Sequence, residues 1–170
     1  MVEIRRFKLR DLAQVMHIER AAFAADGYHG GTFLAHAFRD RRGFFVAEED
    51  QVIVGYVLAR TGLHWLGARR GGLTSLAVAP PHRRRGVGRL LILTALDYLR
   101  ARRAKVADLE VSVANRAAQS LYEALGFRCC RRLQHYYGPN RDGLQMVLNL
   151  ASSSENMNPP NQCQTGPRQA

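Results

Sequence analysis

Residues 73–103 constrain the fold more than any other stretch of the chain. An apolar run, Leu73 to Ala79, stops at Pro80-Pro81, which cannot continue a central strand. A basic run follows, His82-Arg83-Arg84-Arg85, and then Gly86-Val87-Gly88-Arg89. From about Gly86 to Arg103, Val87, Leu91, Ala95 and Leu99 recur at i+4 steps and form the core face of an amphipathic helix. Strand, basic turn, spaced glycines and helix in that order call for a sheet with a helix packed across it.

The turn has a chemistry of its own. Gly86 and Gly88 let a ligand approach the backbone closely. The start of the helix offers unpaired N–H groups and a positive dipole end. Arg83, Arg84 and Arg85 add charge at the same place, and the sum is a cradle for a pyrophosphate. A Walker loop would need Gly-Lys-Ser/Thr, which the sequence lacks. A dinucleotide fingerprint would need a third glycine where Leu91 stands. The competing reading is a basic turn that feeds a helix and binds nothing.

Elements alternate on both sides of this unit. Glu3–Phe7 reads as a strand, and Asp11–Phe23 as a helix with Leu12, Val15, Met16 and Ala22 or Phe23 on one side. Tyr28-His29-Gly30-Gly31 breaks the pattern before a short helix over Thr32–Arg39. Phe44–Glu48 and Val52–Ala59 form a hairpin around Glu-Glu-Asp-Gln. Val106–Val113 alternates, with Leu109, Val111 and Val113 on one face and Asp108, Glu110 and Ser112 on the other. Asn115 caps a helix whose apolar stripe is Ala117, Leu121 and Leu125, ending at Gly126. Strands over Phe127–Tyr137 and Leu144–Leu150 close the domain. The order β-α-α-β-β-β-α-β-α-β-β predicts an α/β fold with a mixed sheet.

Composition narrows the class. With 170 residues, 46% hydrophobic and 23% charged, the chain reads as one soluble domain. That domain spans residues 1–150. Ala151–Ala170, with no Leu, Ile, Val or Phe, is expected to be a disordered tail. Glu155 and Arg168 cancel within it, so the net charge of +11 falls on the domain and implies acidic partners or a solvated basic surface. The apolar stretch Leu90–Leu96 is far short of the roughly 20 residues of a membrane span, and no signal peptide is recognisable. Cys129, Cys130 and Cys163 are odd in number and make a poor disulfide framework, so a cytoplasmic protein is expected. Packing is the default for the Cys129-Cys130 pair. The six histidines show no metal-ligand spacing, and no metal is expected.

The motifs together resemble a known family. Arg83-x-x-Gly86-x-Gly88 is similar to the acyl-CoA loop of the GNAT (GCN5-related N-acetyltransferase) superfamily. Thr74-Ser75-Leu76-Ala77-Val78-Ala79-Pro80 looks like that family's central strand. Leu109-Glu110-Val111-Ser112-Val113-Ala114-Asn115 and Ala118-x-x-Leu121-Tyr122-x-x-Leu125-Gly126-Phe127 look like its second half. With Tyr136-Tyr137, the pattern is most similar to the ribosomal-protein-alanine N-acetyltransferase subgroup.

The resemblance implies a mostly antiparallel sheet of about seven strands with about four helices. Its central parallel pair is splayed to take acetyl-CoA as co-substrate. It implies pantetheine contacts from the backbone of Leu76, Ala77 and Val78, with Val78 N–H as an oxyanion donor. Residues Arg83, Arg84, Arg85, Gly86, Val87, Gly88 and Arg89 would hold the pyrophosphate, with Asn115 and Tyr122 also touching the cofactor. Glu110 matches the general base and Tyr122 the general acid. The expected acceptor is a protein N-terminal α-amine, a ribosomal protein among the candidates, with no membrane or specific nucleic-acid partner. Two stretches depart from the subgroup: Phe23-Ala24-Ala25-Asp26-Gly27-Tyr28-His29 replaces a Phe-Pro-Trp-like loop, and Leu144-Gln145 replaces an acidic pair after Gly143. Glu19 and Asp26 are read mainly as solvated surface carboxylates, with binding of a cationic acceptor as the other role.

The alternatives are an acetyltransferase for lysine side chains or small amines, a basic nucleic-acid module and a CoA sensor without catalysis. Aromatic residues are only 8% and no recognition motif is present, which disfavours nucleic acid. The presence of both Glu110 and Tyr122 disfavours the sensor.

Overall fold

The structure is a computed structural model that describes residues 1–23, 41–63 and 69–151. The expected helix over Thr32–Arg39, the Asp26–His29 loop, Trp65 and the tail beyond Ala151 lie outside the described residues. The strands are β1 (Glu3–Arg6), β2 (Phe44–Glu49), β3 (Val52–Leu63), β4 (Arg69–Val78), β5 (Val106–Ser112), β6 (Arg128–Leu133) and β7 (Gly143–Asn149). The helices among the described residues are α1 (Leu12–Phe23), α2 (Val87–Ala101) and α3 (Arg116–Ala124).

The strands make one sheet in the order β1-β2-β3-β4-β5-β7-β6. Every neighbouring pair is antiparallel except β4 with β5. This is the expected mixed sheet with a central parallel pair.

Alternation along the strands divides the core in two. Phe45, Ala47, Val54, Val57, Leu109 and Val111 face α2 and α3. Phe44, Val46, Ile53, Tyr56 and Leu58 face α1. Helix α2 carries the first layer: Val87, Leu91, Ala95 and Leu99 are all 1% exposed or less, as their spacing requires. Val87, Leu91 and Leu99 each contribute about 1.5–3 kcal/mol on burial, and the Ala95 methyl about 0.8 kcal/mol.

Three expectations about faces need correction. In α1 the buried residues are Val15, Ile18 and Glu19, so Glu19 is not on the surface. In α3 the buried residues are Gln119 and Tyr122, while Ala117 is exposed. The stripe is rotated by about one position, because the Tyr122 ring packs edge-on against Phe127, with centroids 5.8 Å apart. Cys129 is exposed rather than packed, since β6 is an edge strand.

Candidate active site at the split in the sheet

The parallel pair is short. Its register runs from Arg70 opposite Val106 to Leu73 opposite Leu109 and ends there. Beyond that point β4 stays with β3 through Val78, and β5 stays with β7 through Ser112. A bulge starts the divergence: Leu58 pairs with Ser75 and Ala59 with Leu73, so Thr74 is the extra residue. Its hydroxyl donates to the Leu58 carbonyl at 3.0 Å. Two strand edges therefore face each other across a V, with Thr74–Val78 on one wall and Glu110–Ser112 on the other.

The turn at the end of β4 closes one side of the V. Gly86 caps α2 with φ +82°, a left-handed conformation that glycine adopts without strain. A side chain there would meet open space. The first backbone bond of the helix runs from Leu90 N–H to the Gly86 carbonyl at 3.1 Å, so the Val87, Gly88 and Arg89 N–H groups have no partner within the helix. The arginines divide their work. Arg83 Nε donates to the Val78 carbonyl at 2.9 Å and holds the turn to the strand. Arg85 forks onto Glu49 at 3.1 and 2.9 Å. Arg84 and Arg89 are exposed and make no ion pair among the described residues. The fold therefore commits two of these four guanidiniums and leaves two for an anion.

Glu110 is the first residue of β5 past the last pair. Its neighbours Leu109 and Val111 are in the α2 core, so its side chain lies on the α1 face. It is half-buried, and loss of water raises its carboxyl above the usual carboxylate range. Asp108 adds to the rise, while Arg60 and Arg131 oppose it. Asp108 is itself held by Arg60 at 3.1 Å and Arg70 at 3.2 Å.

Tyr122 lies on the other face, within the α2 core. Burial pushes its phenol up to about 12, so it carries its proton at any working pH. Asn115 Oδ1 accepts from Ala118 N–H at 3.1 Å and caps α3, leaving the side-chain NH2 for a ligand.

Sequence reasoning missed three parts of this region. The first is the Arg60–Asp108–Arg70 cluster, which long-range pairing assembles. The second is the packing of Tyr136 and Tyr137 on Gly143, their ring atoms lying 3.3 Å from where a Cβ on that glycine would sit. That close approach explains the glycine, opposite Ser112 at the end of β5. The third is Glu19, 3% exposed and aimed at β4. Its signal was present: Leu12, Val15, Glu19 and Ala22 fall at steps of three, four and three, so the carboxyl sits on the apolar stripe.

A separate cleft of about 420 Å³ lies beyond β5, lined by Ser112, Arg116, Arg132, Asn140 and Asp142 among others. It includes neither Glu110 nor Tyr122. Among the described residues no group of acidic, His and Cys side chains can hold a metal, and no helix is long and apolar enough to cross a membrane.

The sequence profile of the acetyltransferase (GNAT) family matches residues 9–127, which take in the split, the turn, Glu110 and Tyr122. The chain belongs to the GNAT acetyltransferase family. An N-alpha-acetyltransferase of Sulfurisphaera tokodaii is 33% identical over 155 residues, covering 86% of this chain and 92% of that protein. A putative [ribosomal protein bS18]-alanine N-acetyltransferase of Bacillus subtilis is 26% identical over 148 residues, covering 86% and 95%. The solved Arabidopsis thaliana Naa50, in complex with the bisubstrate analogue CoA-Ac-MVNAL, shares the fold with a TM-score of 0.77 at 23% identity. It covers 87% of this GNAT chain and 98% of the Naa50 chain. The chain is thus a GNAT N-acetyltransferase with the GNAT sheet, as its motifs implied.

Proposed function

We propose that this protein transfers the acetyl group of acetyl-CoA to the N-terminal α-amine of a polypeptide, in the cytoplasm. The observation that carries the reading is the split after Leu73 and Leu109, with Glu110 at its apex. Ribosomal-protein termini are one acceptor within this class.

The chemistry is thioester aminolysis, and the residues divide it by face. The turn after β4 binds the pyrophosphate through the N–H groups of Val87, Gly88 and Arg89 and the charges of Arg84 and Arg89. The open edge of Leu76, Ala77 and Val78 pairs with the pantetheine arm. Val78 N–H stabilises the oxyanion. Asn115 contributes its free NH2. Glu110 takes a proton from the attacking nitrogen on the α1 face. Tyr122 hydrogen-bonds the departing sulfur from the α2 face and supplies its proton. Transfer from a phenol at about 12 to a thiolate near 8.5 is uphill, so it proceeds with sulfur–carbon cleavage rather than before it.

An α-amine suits this site. Its pKa is about 7.7–8.0, against about 10.4 for lysine, so less work is needed to present it neutral. The resemblance to N-alpha-acetyltransferases supports the same acceptor. CoA release tests the reading, with acetyl-CoA and peptides bearing free N-terminal Ala or Ser. The control is the same peptides N-terminally blocked but carrying lysine. Turnover is expected on the free termini. Turnover confined to the blocked lysine peptides would sink the α-amine assignment and keep the acetyltransferase.

A further inference from the structure

Acetylating an ammonium removes two protons from one nitrogen. R–NH3⁺ enters, and R–NH–CO–CH3 leaves. One proton ends on the CoA sulfur and the other in solvent, so the site must accept a proton from the nitrogen twice. Glu110 is placed to do so once.

Glu19 is the other carboxyl on that face. It projects from α1 toward β4 and is 3% exposed; the Ser75 hydroxyl bears on its carboxyl, and neither oxygen has any other hydrogen-bond partner among the described residues. Leaving such a group unsatisfied costs stability, so its retention calls for a use. Beside it stands Ser75, half-buried and two residues past the last β4–β5 pair, on the stretch of β4 that forms one wall of the V. The Tyr56 hydroxyl lies 3.0 Å from Ser75 Oγ and fixes it from β3. Ser75 thus stands on the β4 wall with the Glu19 carboxyl behind it, and Glu110 on the β5 wall, on one face of the split.

We propose that Glu19 accepts the first proton, from the arriving ammonium, across the Ser75 hydroxyl, and that Glu110 accepts the second as the C–N bond forms. In the first step one ammonium N–H bond breaks and its proton moves to Ser75 Oγ. The Ser75 O–H proton passes to the Glu19 carboxylate. The products are a neutral amine and a carboxylic acid, which returns its proton to solvent after turnover. The proposal rests on the α-amine reading for its pH range, not for its chemistry.

The surroundings leave Glu19 free to titrate. From β4 it faces Ser75, whose hydroxyl is in turn met by the Tyr56 hydroxyl of β3. The Arg5–Asp11–Glu48 cluster sits at the start of α1, about 12 Å away along the helix axis. Arg60, Asp108, Arg70 and Glu110 share its sheet face farther across, toward β5. Burial lifts the Glu19 carboxyl to about 7 while the Ser75 hydroxyl pulls it down, which poises it just below an α-amine.

The test is the pH dependence of kcat/KM for a free α-amine peptide, from about pH 6.5 to 9.5, in wild type, E19Q, S75A and E110Q. Near pH 7 the amine arrives charged. Above about pH 9 more than nine-tenths of it is neutral in solution and needs no first acceptor. E19Q and S75A are expected to lose about tenfold near pH 7 and to return to within about twofold of wild type at pH 9.5. E110Q is expected to stay impaired throughout. Acetyl-CoA affinity should be unchanged in E19Q. An E19Q defect of equal size at every pH, or no defect, would overturn the proposal. If wild type acts only on lysine peptides, the α-amine reading fails, and the same comparison extended to about pH 11 judges Glu19, with recovery then expected only above about pH 10.

Discussion

Glu110 and Tyr122 stand on opposite faces of the central sheet, the carboxyl on the α1 side and the phenol in the α2 core. A group passing between β4 and β5 therefore meets a carboxyl on one side and a protonated phenol on the other. In E110Q we expect kcat to fall by about a hundredfold or more, the usual weight of a general base. Acetyl-CoA binding, measured by calorimetry, should hold within about twofold. Equal losses in turnover and binding would show that Glu110 supports the fold rather than the reaction.

Tyr122 can be separated into ring and hydroxyl. Tyr122→Phe keeps the edge contact with Phe127 and should leave the melting temperature nearly unchanged while kcat drops. Tyr122→Ala opens a cavity in the core and should cost about 3–5 kcal/mol in denaturant unfolding. A Phe variant with full activity would remove the phenol from the chemistry.

Gly86 tests the pyrophosphate turn. Gly86→Ala forces a side chain into φ +82° and should cost about 1 kcal/mol of stability. The new methyl meets no protein atom within 4 Å, so nothing else in the fold need shift. It occupies the space before the first N–H groups of α2, and the KM for acetyl-CoA should rise about tenfold. An unchanged KM would place the phosphates elsewhere.

Glu19 should also leave its mark on the empty protein. Its carboxyl is raised from 4.5 to about 7 on folding, so the native state holds its proton more tightly than the unfolded chain. The stability this provides is complete below about pH 4.5 and is lost as pH rises to about 7, an amount on the order of 3 kcal/mol. Thermal melts of E19Q should lack that decline and lie above wild type at pH 8. Parallel curves for the two proteins would contradict the burial of a titrating group.

At the other end of α1 the sign reverses. Arg5 donates to Asp11 at 2.7 and 2.9 Å and to Glu48 at 2.6 Å, and Asp11 is 3% exposed. Asp11 is lowered by Arg5 and the Lys8 N–H against the opposing pull of burial. Its contribution is present above about pH 3.8 and lost as pH falls through its depressed value. Arg5→Leu leaves a buried carboxylate without its partner and should cost about 3–5 kcal/mol at pH 7. A loss below about 1 kcal/mol would mean that water replaces the guanidinium.

The parts of this fold that depend on local rules were legible. The i+4 ladder of α2, the Asn115 cap and the alternation of β5 each follow from spacing or from one side chain, and each is in place. What the sequence hid depends on how elements meet. The face of α3 was misread by about one position, because Phe127, beyond the helix, decides which side Tyr122 turns to. Glu19 was misread because a carboxylate on an apolar stripe looks like a solvated interruption until β4 is seen to cover it. The fates of Arg83 and Arg85 were equally hidden, since the Val78 carbonyl and Glu49 come from different strands.

Four residue pairs join the two halves of the sheet, β1 to β4 on one side and β5, β7 and β6 on the other. In mechanical terms these are two plates on a short hinge. A pantetheine arm laid along Leu76–Val78 would act as a temporary strand, stitching the gap for the length of one reaction. The molecule would then stiffen and slacken with each turnover, and amide exchange along the facing edges of β4 and β5 would keep time with the arrival and departure of its substrate.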